Sequence, residues 1–262
     1  MNVLVINLKG GAAKTTNASL IASFLPTTNK EQNLLIEIDK INESDSKIKS
    51  KDYKSVQVDF LNESDQSFLE FENYLLDEGV KIIDVGAVKL EIFHKSMTAA
   101  NLYSTIDLLI IPSMDGSDDM LVAMSFLQTI RDVITPDRIM FSFNRFNDHE
   151  YTSHEEQFSS FFDKKSEIKK NFGIDLSNED NYYILKDSRA IKLSRAKKCT
   201  LKSLVDTDAD AITAAQRAEK DRVKRLELTR QRSLILSSQN FYNDYVINMI
   251  EKIMFKLQKS SK

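Results

Sequence analysis

The chain has 262 residues, 42% of them apolar, and a formal net charge of −3, enough apolar material for one large α/β body with an appendage. Its single cysteine, Cys199, excludes an internal disulfide framework and an all-cysteine metal site within one chain. No apolar run is long enough to span a membrane, and Lys9 interrupts the first one, which excludes a signal-peptide core and leaves a cytoplasmic protein as the expectation.

In chain order, "NVLVIN" (Asn2 to Asn7) reads as a first buried strand and Thr15 to Phe24 as the helix after it. "NLLIEI" (Asn33 to Ile38) reads as the second strand, and "SDSKIKSKDYKS" as a polar, mobile loop. A helix over Glu70 to Glu78 leads to a strand at "VKIIDV" (Val80 to Val85), and "DLLIIP" (Asp107 to Pro112) reads as the next strand. Helix Ser117 to Val133, strand "RIMFSFN" (Arg138 to Asn144), helix Ser153 to Asn171, strand "NYYIL" (Asn181 to Leu185) and helix Ala190 to Ala196 follow. Apolar strands alternating with helices predict a mostly parallel sheet covered on both faces. Residues 1–205 form this α/β domain. Residues 206–262 contain no Pro or Gly and read as a helical C-terminal extension with a break near Ser237–Ser238.

Charge is distributed unevenly. Residues 186–232 carry 14 Lys or Arg against 7 Asp or Glu, while the first 185 residues carry a net charge of −12. An acidic body with a basic C-terminal third suggests one surface for a polyanion, although a solvated helix face of mixed charge has the same composition. His94, His149 and His154 lack metal-ligand spacing, and Asp118 and Asp119 suit the opening turn of a helix.

The stretch "KGGAAKTT" lies between the first strand and the first helix. Gly10, Gly11, Ala12, Ala13, Lys14, Thr15 and Thr16 would turn backbone N–H groups toward phosphate at the positive end of the helix. Lys14 would reach the terminal phosphates of ATP, and the Thr15 hydroxyl would ligate Mg²⁺. The pattern G-x-x-x-x-G-K-[ST] is matched only at its last two positions, because Leu8 and Ala13 stand where its glycines belong.

With its extra lysine, the stretch resembles the deviant phosphate loop K-G-G-x-G-K-[ST]-[ST] of the ParA/MinD family of dimeric ATPases, matching at Lys9, Gly10, Gly11, Lys14, Thr15 and Thr16. The resemblance implies a P-loop NTPase fold and an ATP-dependent homodimer in which Lys9 reaches the partner's nucleotide. Asp39, in "IEIDK", falls at the family's water-positioning carboxylate and Glu37 at the acidic position before it. Asp84 falls at the aspartate on the metal side, and the altered continuation "VGA" leaves Gly86 as a switch hinge. Asn144 falls where a side-chain amide reads the adenine edge. Lys9, Lys14 and Asp39 are thus the expected catalytic set, and Thr15 and Asp84 the Mg²⁺ ligands. At Ala13 the methyl restricts φ: a loop that needs φ < 0 there tolerates it, and one that needs more room binds nucleotide less well; a working but slow ATPase is expected, with a degenerate nucleotide-binding regulator as the alternative.

The phosphate loop begins at residue 9, so no DNA-reading helix-turn-helix is expected ahead of it. The resemblance then implies a partition ATPase that depends on a separate adaptor such as a centromere-binding protein and associates with the nucleoid. Its ATP state would bind nonspecific double-stranded DNA through Arg189, Lys192, Arg195, Lys197, Lys198, Lys202, Arg217, Arg222, Lys224 and Arg225. The rival reading is a MinD-like ATPase that cycles on a membrane surface, with Phe241, Tyr245, Ile250, Ile253 and Leu257 as the lipid-facing stripe. Cluster carriers that share the loop need cysteine ligands at the dimer axis, which Cys199 alone does not supply.

Overall fold

The computed structural model describes residues 1–27, 31–39 and 50–260, with the side chain of residue 260 left out. Among the described residues, seven strands form one sheet: β1 (Asn2–Val5), β2 (Asn33–Ile38), β3 (Tyr53–Val58), β4 (Lys81–Val85), β5 (Leu108–Ser113), β6 (Ile139–Phe146) and β7 (Tyr182–Lys186). The helices are α1 (Lys14–Phe24), α2 (Gln66–Leu76), α3 (Leu90–Ala99), α4 (Ser117–Ile130), α5 (His154–Gln157), α6 (Ser159–Phe162), α7 (Lys165–Phe172), α8 (Arg189–Ala196), α9 (Leu201–Val205), α10 (Ala209–Ala218), α11 (Arg222–Phe241) and α12 (Ile247–Ser260).

The strand order is β3-β2-β4-β1-β5-β6-β7, and every neighbouring pair is parallel. Parallel strands must be shielded on both faces, and successive side chains of each strand serve opposite layers. Val3, Val5, Leu35, Ile82, Ile110 and Met140 face α1, α8, α9, α11 and α12. Leu4, Ile6, Ile36, Ile83, Ile111 and Phe141 face α2, α3, α4, α6 and α7. The fold is therefore α/β, a parallel sheet with helices on both sides. The chain lays β2, β3 and β4 on one side of β1 and β5, β6 and β7 on the other. This reversal opens a crevice at the carboxyl ends of β1 and β4, where ligands of such sheets bind.

The expected strands form, and one more is present. β3 lies partly in the segment read as a mobile polar loop: residues 50–55 are described and 53–55 enter the sheet edge, while residues 44–49 of that segment lie outside the described residues. As an edge strand with only β2 as partner, β3 buries Tyr53 and Val58 and leaves Lys54 and Ser55 exposed, so its sequence lacks a continuous apolar run. The single helix expected over 153–171 is three short ones. Phe158 and Lys164 leave helical geometry, which lets Phe158, Phe161 and Phe162 pack around Phe143 at ring-centroid distances of 4.9 to 5.4 Å.

No break occurs at Ser237–Ser238, where α11 runs through and Ser238 returns its hydroxyl to the Leu234 carbonyl at 2.8 Å. The irregularity comes later, as a π-helical turn over Tyr242–Val246 that joins α11 to α12. There Tyr242 stacks on Phe24 of α1 at 5.0 Å, and Phe241 stacks on Tyr245 at 5.5 Å. Leu234, Ile235, Phe241, Val246, Met249, Ile253 and Leu257 belong to the same core as β1 and α1. The buried Lys256 ammonium donates to Asp137 O at 3.2 Å and Asn181 Oδ1 at 2.6 Å, tying α12 to the loops before β6 and β7. By contrast, α10 buries no side chain, and Arg222 to Glu227 of α11 are exposed, so this hairpin projects from the body.

If α12 is part of the core, Ile253→Ala should lower unfolding stability by about 2–4 kcal/mol in denaturant titrations. Phe255→Ala on the outer face of the same helix should cost less than about 1 kcal/mol. Equal, small effects at both positions would show that the helix does not pack as described.

Candidate nucleotide-binding site

The end of β1 passes into the loop 9–13 and then into α1. Ala13 takes φ 63° and ψ 23°, the left-handed region, directly before the first helical residue. Gly11 also has a positive φ, at 77°. Two left-handed residues bend the loop back over the helix start, and no side chain caps the first turn, so its backbone N–H groups face the crevice. Glycine occupies one of these positions without strain, whereas at the other an alanine methyl crowds the backbone. The negative φ at which the Ala13 methyl would be tolerated is therefore not the one this loop adopts.

Beneath the loop lies a polar hub that the sequence analysis missed. The fully buried Asn17 amide donates to Ala13 O and to Asn144 Oδ1, both at 2.9 Å. Its oxygen accepts from Ser142 Oγ at 2.8 Å and Tyr183 Oη at 2.7 Å. Asn144 in turn donates to Ser142 O at 2.7 Å and Ser113 O at 3.3 Å. Asn144, expected to read the adenine edge, is 2% exposed, and both ends of its amide are used in this hub. The only cue in the sequence was a polar residue on the apolar face of a helix.

Lys14 is 7% exposed and donates to Lys9 O at 2.8 Å. Burial draws its pKa down, against the pull of Asp84 and Asp39. Asp84, at the end of β4, is raised to about 6, chiefly by burial; a hydrogen bond with Thr15 works the other way, and Glu37 and Asp39 add to the rise. Thr15 and Asp84 thus meet, with Glu37 on the neighbouring strand and Asp39 just past its end. Among the described residues, no three His, Cys, Asp or Glu side chains are grouped to hold a metal ion by themselves. A hydroxyl, a buried carboxylate and open space beside the loop fit Mg²⁺, which keeps waters and phosphate oxygens among its ligands.

Gly86 has φ −60° and ψ 140°, a shape open to any residue, so no hinge conformation is seen there. What it supplies is space, because a Cβ at position 86 would come within 2.6 Å of the Asp39 carboxyl carbon. Its N–H donates to Ile38 O at 2.8 Å, which holds the ends of β2 and β4 together.

Lys9 turns away from the loop and forms an ion pair with Asp119, whose side chain is almost wholly buried in the first turn of α4. Asp119 also accepts from Met114 N at 3.3 Å. Its role is therefore more than opening a helix: it fixes the position of the extra lysine, and the bond raises the Lys9 pKa.

Two cavities of about 370 and 360 Å³ adjoin the loop and share Lys14, Thr15, Thr16, Asp39, Gly86 and Arg195. One extends past Glu37, Tyr53 and Cys199, and the other over Gly10 to Ala13, Arg145 and Ser188. The basic residues assigned to DNA separate into groups. Arg195 donates to Thr16 Oγ1 at 2.6 Å, and Lys192 lines the same cavity and pairs with Asp187 at 2.7 Å. Lys202 lies over the Phe24 ring and pairs with Asp206. Arg189 and Lys197 line a groove between α8 and α11, and Arg217 and Arg225 line a concavity of the α10–α11 hairpin. Lys198, Arg222 and Lys224 are exposed.

No family model and no curated protein matches the sequence. Among solved structures, the chain is similar to one from Borrelia burgdorferi B31 assigned to plasmid partition (BB_S35) and bound to AMPPNP, with 14% identity over 90% of this chain and 97% of that one and a TM-score of 0.49. A plasmid partition protein from Borrelia burgdorferi shows 16% identity over 75% and 98% of the two chains, with a TM-score of 0.44. A complex of a Cyanothece McdA variant with ATP shows 11% identity over 92% and 96%, with a TM-score of 0.46.

Proposed function

We propose that the protein is a partition or positioning ATPase of the ParA type, dimerising with ATP and binding nonspecific DNA in that state. The observation that carries the reading is the meeting of Lys14 and Thr15, from the loop and the start of α1, with Asp84 of β4 in one cavity at the crevice. A buried lysine, the open N–H groups of α1 and two carboxylates at the strand ends suit a phosphate chain with a divalent cation. Mg²⁺, when bound, would neutralise charge on the phosphates.

In this reading the loop N–H groups and Lys14 hold the phosphates, and Thr15 and Asp84 hold the metal side. Asp39, kept in place against Gly86, orients the attacking water. Lys9 reaches a partner's nucleotide, which requires it to exchange Asp119 for phosphate oxygens. The projecting hairpin carries Arg217, Arg222, Lys224 and Arg225 on a surface apart from the loop. Its contacts would be to DNA phosphates and therefore sensitive to salt. A separate adaptor would stimulate hydrolysis.

The membrane-cycling alternative loses its carrier. The stripe it needs is packed, with Phe241, Ile253 and Leu257 in the core and Tyr245 and Ile250 against it. Among the described residues, no helix is long and apolar enough to cross a membrane.

Lys14→Ala should abolish tight nucleotide binding in calorimetry, and unchanged affinity would refute the site. Lys9→Ala should still bind nucleotide but fail to dimerise with ATP in light scattering, whereas Asp39→Ala should dimerise without hydrolysing. Ala13→Gly removes a left-handed alanine and should raise unfolding stability by up to about 1 kcal/mol, with turnover equal or faster; slower turnover would mean the methyl is part of the working loop. Reversal of Arg222, Lys224 and Arg225 to glutamate should eliminate DNA retention at low salt, and retention at wild-type level would remove the hairpin from the DNA-binding surface.

A further inference from the structure

Arg195 belongs to a basic run, yet its guanidinium is directed at the loop. From the last turn of α8 it reaches across the crevice to Thr16 at 2.6 Å. The residue as a whole is exposed, but its guanidinium end leaves enough solvent for burial to draw the pKa down, and Asp84 attracts it there. Arg145 lines the same cavity, at the register shift between Asn144 and Phe146 in the pairing of β6 with β7. Arg145 has a φ of 61°, costly for a long side chain. Gln157 braces that turn from both sides, donating to Arg145 O at 3.1 Å and accepting from Asn147 N at 2.8 Å. Among the described residues, the Arg145 guanidinium has no hydrogen-bond or ion-pair partner, and that of Arg195 bonds to Thr16 alone. Two like charges that repel across one concavity, both with unused donors, are arranged for an anion between them.

We infer that Arg195, with Arg145 in the same cavity, is a phosphate-binding residue of the nucleotide site that grips a nucleoside di- or triphosphate from the wall opposite the loop. This inference rests on the nucleotide reading above and removes Arg195 from the DNA-facing set. Thr16 lies one residue beyond the Lys14–Thr15 pair that serves the terminal phosphates and the metal, so Arg195 meets the part of the phosphate chain common to ADP and ATP. It acts alike on both nucleotides, as uniform binding rather than as a sensor of the last phosphate.

The test is calorimetric titration of the full chain with ADP and with AMPPNP. Arg195→Ala should weaken both by the same factor, about tenfold or more, and Arg145→Ala should weaken both in the same direction. Arg195→Lys should recover part of the loss, since it keeps the charge and loses the fork. An unliganded melting temperature equal to wild type would show that the loss is not one of folding. ADP affinity within twofold of wild type in Arg195→Ala, while Lys14→Ala loses binding, overturns this inference and leaves the site intact. A loss confined to AMPPNP also overturns it. Failure of the wild-type chain to bind either nucleotide would overturn both readings.

Discussion

The shape of the loop depends on one buried side chain. Asn17 has four polar partners, in the loop, on β6 and on β7, and three of them, Ser142, Asn144 and Tyr183, are themselves buried. In an apolar layer such groups are bonded to one another or are expensive to bury, and this network leaves the start of α1 a single register against the sheet. The left-handed turn at Ala13 follows, because its carbonyl is held from below by the same amide. The direction of Lys14, the exposure of the first-turn N–H groups and the approach of Thr15 to Asp84 follow from that turn.

The charges around the loop are unbalanced without a ligand. Lys14 is buried and pulled toward neutrality, Asp84 is pushed toward its protonated form, and Arg145 and Arg195 repel. A phosphate chain with a divalent cation would relieve all of these at once, giving positive groups an anion and the carboxylate a cation. Energy held in such an arrangement favours occupancy and costs little reorganisation when the ligand arrives. Lys9 is the exception: it is already neutralised by Asp119, so recruiting it elsewhere involves a change of partner.

Much of this was legible in the sequence, and the omissions have physical causes. "KGGAAKTT" located the loop because strand, turn and helix each have a local signature. The apolar strands were legible because burial on both faces demands continuous apolar runs. β3 was not, since this edge strand buries only its end residues, Tyr53 and Val58, and Lys54 and Ser55 resemble loop residues. The breaks at Phe158 and Lys164 were invisible because aromatic packing from another strand overrides local helix propensity. Arg195 was indistinguishable from its basic neighbours, because only the crossover that follows β7 directs it at α1. Asn144 was read by its place in a pattern, while its function here is set by Asn17, 127 positions away.

The π turn at Tyr242–Val246 has a consequence for how the outer and inner halves of the last helices relate. A π turn holds one residue more than an α turn and rotates everything beyond it by about 100° around the helix axis. The face that α12 presents to the sheet is therefore phased independently of the face that α11 shows to solvent. An insertion or deletion of a residue upstream could be absorbed by gaining or losing the wide turn, with the inner seam unmoved. The protruding hairpin is in this sense a replaceable module, free to diverge in length and charge while the helix that anchors it keeps its register.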